Sequence, residues 1–431
     1  MGTTSERALI VSSDGHAMPN MRDYRPYLPS SMHEEFDRFC EYNDEHGATP
    51  MDPAHLRNRL DADVLEQWVR DLCDPGRLEG CGDPVKRLAE MEREGIVAEV
   101  LFPDFGLPFQ AKPPTPTRAY DAGPSWPART PEQVAEGNRA HNRWLVDYCA
   151  TAPERFAGMA LVSFDDVEAA VIELRWAREH GLKGVVVPMF DAAHPIFHER
   201  YEPIWNVLEE LEMPLNSHIA LSATLPMVMY SGIPDPAVAQ ALHNAEMMLR
   251  CHEVLAHLIW GGVLERHPGL RAAFTEQGSA WVIGELAQWD YNWDADGSFM
   301  RREVQDVVPL APSEYFRRQC WLGSSIFSRA EIEARHQIGL EQMCLGMDYP
   351  HHEGTFAGGT VNYLRATLGA VGVPVDEARL LLGGNAIARW GFAEPVLRAV
   401  ADRVGPALDL ILSPPEEDLF PRGDVSKPLA V

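Results

Sequence analysis

Cysteine is sparse and unpatterned in this chain. Cys40, Cys73, Cys81, Cys149, Cys251, Cys320 and Cys344 form no CxxC pair, which argues against both a disulfide framework and a structural zinc knuckle. Positive charge is short as well. Lysine and arginine total 37 against 64 acidic residues, a net charge of −27, and no basic patch stands out, so nucleic acid is not an expected partner. No apolar run approaches the roughly 20 residues of a membrane span. The first seven residues lead into the first apolar run without a signal-type segment, and the expectation is a cytoplasmic protein with no membrane partner. A glycine-rich phosphate loop is missing too. Asp14-Gly15-His16-Ala17-Met18-Pro19 stands where an open nucleotide-binding sheet would carry its glycines.

What the chain does have is a repeat of short apolar runs separated by helical patterns. The runs are 8–13, 97–102, 158–163, 184–189, 213–217, 271–275, 320–325 and 343–347. Between them, 132–151, 166–180, 200–211, 237–266 and 329–338 place apolar residues at three-to-four spacing. Near-continuous apolar strands alternating with helices indicate a parallel sheet covered by helices, and eight of them favour a closed (β/α)8 TIM barrel over an open doubly wound sheet. Three stretches break the repeat: the aromatic and charged 17–95, the proline-rich 103–131, and 289–313. The expected organisation is a barrel over 1–393, with the insertion 17–95 covering the active-site mouth, and a C-terminal extension 394–431 made of one helix (395–411) and a tail.

The residues at the ends of these runs carry the chemistry. Asp14 and His16 follow the first, His218 the fifth, Glu276 the sixth and Asp348 the eighth. In a barrel all five converge on one face, and convergent carboxylates and imidazoles are what a catalytic divalent metal site requires. His351, His352 and Glu353 follow at once. His257 lies in an apolar helical run and reads as a core residue. His252 and His267 read as structural or surface residues, and Trp281 and Trp289 as wall-packing or pocket residues.

Several motifs together resemble the amidohydrolase-related proteins of the amidohydrolase superfamily. They are Asp14-x-His16, Pro214-Leu215-Asn216-Ser217-His218, Gly262 to Pro268 ahead of Phe274-Thr275-Glu276-Gln277-Gly278, Gly346-Met347-Asp348-Tyr349-Pro350-His351-His352-Glu353-Gly354-Thr355, and Leu382-Gly383-Gly384-Asn385-Ala386. The resemblance implies a metal-dependent (β/α)8 barrel whose chemistries include hydrolysis and non-oxidative decarboxylation. Two positions depart from the better-known pattern: Asp14 in place of the first histidine of His-x-His, and Glu276 in place of a histidine after strand six. This carboxylate-rich variant resembles dinuclear non-haem iron or iron/manganese oxygenases that hydroxylate aliphatic carbon. The expectation is therefore an oxygenase with two divalent ions, iron favoured over manganese or zinc. Its ligands are Asp14, His16, His218, Glu276, Asp348, His351 and Glu353, with Asp348, Glu276 and His218 at the chemistry. An organic acid or its conjugate and dioxygen are the expected substrates, and a homo-oligomer the expected assembly. The rival is a metal-dependent hydrolase or non-oxidative decarboxylase of a small carboxylic acid, with Asp348 as general base in hydrolysis.

Overall fold

The computed structural model describes residues 6–46, 53–57, 60–104, 106–110, 127–191, 193–219, 221–222, 224–225, 235–294, 301–352, 354 and 359–416. Eight parallel strands run β1 (Ile10–Ser12), β2 (Ile96–Leu101), β3 (Phe156–Leu161), β4 (Gly184–Val186), β5 (Leu215–His218), β6 (Ala272–Thr275), β7 (Cys320–Ser325) and β8 (Met343–Gly346), hydrogen-bonded in that order. Ser13 N donates to Leu345 O at 2.7 Å and Asp348 N to Asp14 O at 3.0 Å. These bonds bring the first strand against the last, and the sheet closes as a (β/α)8 TIM barrel.

Side-chain alternation sorts each strand between two cores. Leu9 and Val11, Ala157 and Met159, Ala273, Trp321 and Cys344 pack together inside the barrel. Ile10, Phe156, Phe274, Leu322 and Leu345 face the surrounding helices. Trp321 meets Trp390 edge-on, with ring centroids 5.4 Å apart, so that C-terminal residues join the interior cluster.

The helices begin where the sequence supplies caps. Helix α1 (His33–His46) lies within the stretch after β1. Helix α2 (Pro84–Glu94) starts at Asp83, whose carboxylate accepts from Val85 N and Lys86 N, and ends at Gly95 in the left-handed region (φ 77°). Helix α3 (Pro131–Cys149) opens on a Thr130–Gln133 capping box, and α4 (Val167–Glu179) on Asp166. Helices α5 (Glu202–Glu210), α6 (Pro236–Trp260) and α7 (Trp281–Trp293) follow the later strands. Near the C-terminus the pattern that reads as one helix over 395–411 is two, α8 (Glu394–Val404) and α9 (Leu408–Ile411). The break falls at Gly405-Pro406, because proline has no N–H to continue the ladder and disfavours helical backbone just before it. Among the described residues no helix is long and apolar enough to cross a membrane.

Candidate metal centre

The strand ends deliver their side chains to one point. His218 is the last residue of β5, Glu276 follows β6 directly, and Asp348 lies two residues past β8. Glu276 (φ 57°) and Asp348 (φ 55°) both adopt the left-handed backbone region, which turns the chain sharply as it leaves the barrel. Depth divides the group. Asp14, His16, His218 and Asp348 are at most 2% exposed, whereas the side chains of His351 and Glu276 are 14% and 23% exposed and form a rim.

Within this cluster His16 Nε2 is 3.1 Å from Asp348 Oδ1, and His218 Nε2 is 3.3 Å from Asp14 Oδ1 and 3.5 Å from Glu276 Oε2. His351 Nδ1 lies 3.2 Å from Asp348 Oδ1 and 3.7 Å from Glu276 Oε1. Two overlapping donor sets result, Asp14/His16/His218 and His16/Glu276/Asp348/His351, each with its atoms within 4.8 Å of one another. The inner imidazoles are held from behind. His16 Nδ1 donates to the Pro103 carbonyl at 3.0 Å and His218 Nδ1 to the Ile219 carbonyl at 2.9 Å, which leaves each Nε2 facing the centre. Ser325 Oγ donates to Asp14 Oδ2.

Electrostatics follow from this crowding. Burial opposes charge on His218, but the Asp14 carboxylate beside it lifts the imidazole to about 9. Burial and Asp348 together push the Glu276 carboxyl up. Asp348 itself, despite burial, is held far below the usual carboxylate range by His351 and His16. Among the described residues no lysine or arginine pairs with Asp14, Glu276 or Asp348. Three converging carboxylates with imidazoles and no fixed side-chain cation fit a divalent metal ion.

Six of the seven expected ligands, Asp14, His16, His218, Glu276, Asp348 and His351, are thus brought together, and Glu353 lies outside the described residues. His257 sits between Phe190 and Phe197, His252 stacks on Trp281, and His267 is held between Glu202 and Glu209. None of the three joins the site. Trp281 and Trp289 pack against the outer core. Sequence reasoning missed two contributors. Asp104, 5% exposed, has Oδ2 3.5 Å from His351 Nε2. It follows the second apolar run by two residues, so the strand-end rule applied there would have found it. Ser325, the last residue of β7, gave no signal because serine is common at any strand end.

Fold and cluster define a (β/α)8 barrel with a candidate metal centre at the C-terminal ends of its strands. The chain belongs to the amidohydrolase family, whose model, described as Amidohydrolase, matches residues 92–392. It is similar to the gamma-resorcylate decarboxylase of Rhodococcus jostii (strain RHA1), 27% identical over 51% of this chain and 68% of the relative. A second gamma-resorcylate decarboxylase, from Rhizobium sp. (strain MTP-10005), is 25% identical over 49% of this chain and 65% of the relative. Among solved structures, 5-carboxyvanillate decarboxylase from Novosphingobium aromaticivorans DSM 12444, complexed with manganese and 4-hydroxy-3-methoxy-5-nitrobenzoic acid, superposes with a TM-score of 0.58 at 18% identity, covering 90% of this chain and all of that one. That likeness bears on the fold. The sequence relatives correct the oxygenase expectation: they are named decarboxylases, not oxygenases. The carboxylate-rich donor set misled because the same ligand types serve several reactions, and ligand type alone does not select among them.

Proposed function

We propose that this protein is a metal-dependent, non-oxidative decarboxylase of a small hydroxylated aromatic acid. The observation that carries the reading is the buried approach of His16 to Asp348 and of His218 to Asp14, with no lysine or arginine paired to either carboxylate among the described residues, in a chain whose sequence relatives are named gamma-resorcylate decarboxylases. In this reading those four residues hold one divalent ion, of the kind bound in the manganese-containing structure, and neither a second ion nor a preference for iron is needed. When bound, the ion would supply a fixed positive charge that offsets the substrate's carboxylate and draws electron density from the ring.

The chain's own residues do the rest. The Pro103 and Ile219 carbonyls fix the His16 and His218 tautomers. Glu276, at the rim, is exposed enough to meet both substrate and solvent. It delivers a proton to the ring carbon that bears the carboxylate. The bond from that carbon to the carboxylate then breaks, its electron pair returns to the ring, and carbon dioxide leaves. Solvent reprotonates Glu276, so the balance is aromatic carboxylate plus proton giving arene plus carbon dioxide. His351 borders Glu276 and orients it. Pro350, the neighbour of His351, helps line a cavity of about 1000 Å³ together with Met18, Met21, Leu78 and Cys81 of the 17–95 stretch.

The test is carbon dioxide release from 2,6-dihydroxybenzoate and 5-carboxyvanillate by manganese-loaded protein, in air and under argon. Release that is equal in both atmospheres, with one ion per chain, is expected. Metal-loaded protein that releases nothing from a panel of hydroxylated benzoates would overturn the reading.

A further inference from the structure

One buried arginine touches the backbone and neighbours of the cluster without belonging to it. Arg87, on α2, is 0% exposed, and its guanidinium makes three contacts in three directions. Nε donates to Glu99 Oε2 at 2.7 Å, Nη1 donates to the His16 carbonyl at 3.0 Å, and the guanidinium carbon lies 3.8 Å from the centre of the Tyr349 ring. His16 and Asp348 are the site residues next to these contacts, and they stand at opposite ends of the chain. Tyr349, directly after Asp348, also accepts from His16 N at 2.7 Å and donates its hydroxyl to Arg77 O at 2.6 Å. Further along, Thr360 Oγ1 donates to Glu94 Oε2 at 2.8 Å. Helix α2 and the turn before it therefore grip the chain on both sides of His351.

The residue between Asp14 and His16 completes the fit. A Cβ at Gly15 would stand 2.6 Å from Arg87 Nη2 and 2.9 Å from Glu99 Oε1, so only glycine lets the guanidinium approach the backbone between two candidate ligands. A planar guanidinium can bond along its edges and stack through its face at once, and a lysine ammonium cannot. A buried ion pair seldom stabilises a fold more than apolar residues of the same volume would, which directs attention to the geometry it imposes.

We propose that Arg87 is a positioning residue for the candidate metal centre: it sets His16 and Asp348 at the mutual placement that one ion requires. The inference rests on the reading of this cluster as a metal site. It concerns the chain's own geometry, so its test reads metal affinity and needs no turnover.

The experiment compares wild type with Arg87→Lys, Arg87→Met and the double variant Arg87→Met/Glu99→Gln. Each is assayed for apo thermal stability, for manganese affinity by chelator competition and for the Mn²⁺ electron paramagnetic resonance spectrum. The double variant removes both buried charges, and its stability is expected to return toward wild type. Its manganese affinity is expected to stay about 10- to 100-fold weaker, the scale on which groups orienting metal ligands act, with an altered spectrum. If affinity recovers together with stability, the role of Arg87 is only structural and the proposal fails. Should the double variant not fold, Arg87→Lys decides. It keeps a charge beside Glu99 but cannot make the three contacts together, and wild-type affinity and spectrum in that variant overturn the proposal. A wild type that binds no manganese or other divalent ion would instead overturn the metal-site reading itself.

Discussion

His16 Nε2 and Asp348 Oδ1 are 3.1 Å apart although 332 residues separate them in sequence. The first and last strands must meet before these two donors share a site, so metal binding is linked to barrel closure. Ion binding to the folded state alone is worth about 2.7 kcal/mol at a free concentration 100 times the dissociation constant. Manganese at that level should raise the melting temperature, and a chelator should return it to the apo value. An unchanged melting temperature with bound manganese would contradict this coupling.

The inner residues should govern metal content. His16→Ala, His218→Ala and Asp348→Ala are each expected to lower manganese affinity at least about tenfold, since even changes behind the ligands are worth 10- to 100-fold. Metal analysis after dialysis measures this. Full occupancy in all three variants would remove them from the ligand set.

Glu276, at the rim, should behave differently. Glu276→Gln keeps the shape and a hydrogen-bonding oxygen but removes the proton. It is expected to retain the metal and to lower kcat by about 10²- to 10⁴-fold, the usual contribution of a general acid. Loss of metal in this variant would move Glu276 into the ligand set and require another proton donor.

Gly15→Ala tests the close approach of Arg87 and Glu99. The added methyl meets Arg87 Nη2 and Glu99 Oε1, both buried, and overpacking of that kind costs about 1–3 kcal/mol. The melting temperature should fall accordingly. A neutral substitution would mean that Arg87 and Glu99 have room to shift.

Acid sensitivity should trace in part to a histidine outside the candidate ligand set. His141 is 0% exposed, lies 2.9 Å through Nδ1 from the Tyr24 hydroxyl, and is pushed down by burial from 6.5 to about 3. Its folded value lies below its unfolded one. The stability it contributes is therefore complete above pH 6.5 and is lost as pH falls toward 3, by about 1.4 kcal/mol per pH unit. His141→Gln should flatten the stability profile across that window. Denaturant unfolding at several pH values measures it, and parallel profiles for the two proteins would contradict it.

The barrel was legible because each strand is an apolar run buried on both faces, as Val185, Val186, Leu322 and Leu345 are. The candidate donors were legible because a parallel barrel has only one face on which strand C-termini can place acids and imidazoles. Arg87 was not. On α2 it stands in Lys86-Arg87-Leu88 among charged neighbours, and helical periodicity cannot tell a solvated arginine from one buried against Glu99. Asp104 was hidden for a related reason, since the prolines after Phe102 read as the start of an insertion. The reaction was illegible because Asp14, Glu276 and Asp348 suit oxygen chemistry and decarboxylation equally well as residue types.

The left-handed backbone at Glu276 and Asp348 (φ 57° and 55°) sets folding and chemistry against each other at these two positions. Residues other than glycine carry a conformational penalty of about 1–2 kcal/mol there, so glycine is what the backbone alone would select. A search for stabilising substitutions guided only by backbone conformation would therefore choose Glu276→Gly and Asp348→Gly. It would gain robustness by erasing the acid groups around which the site is built.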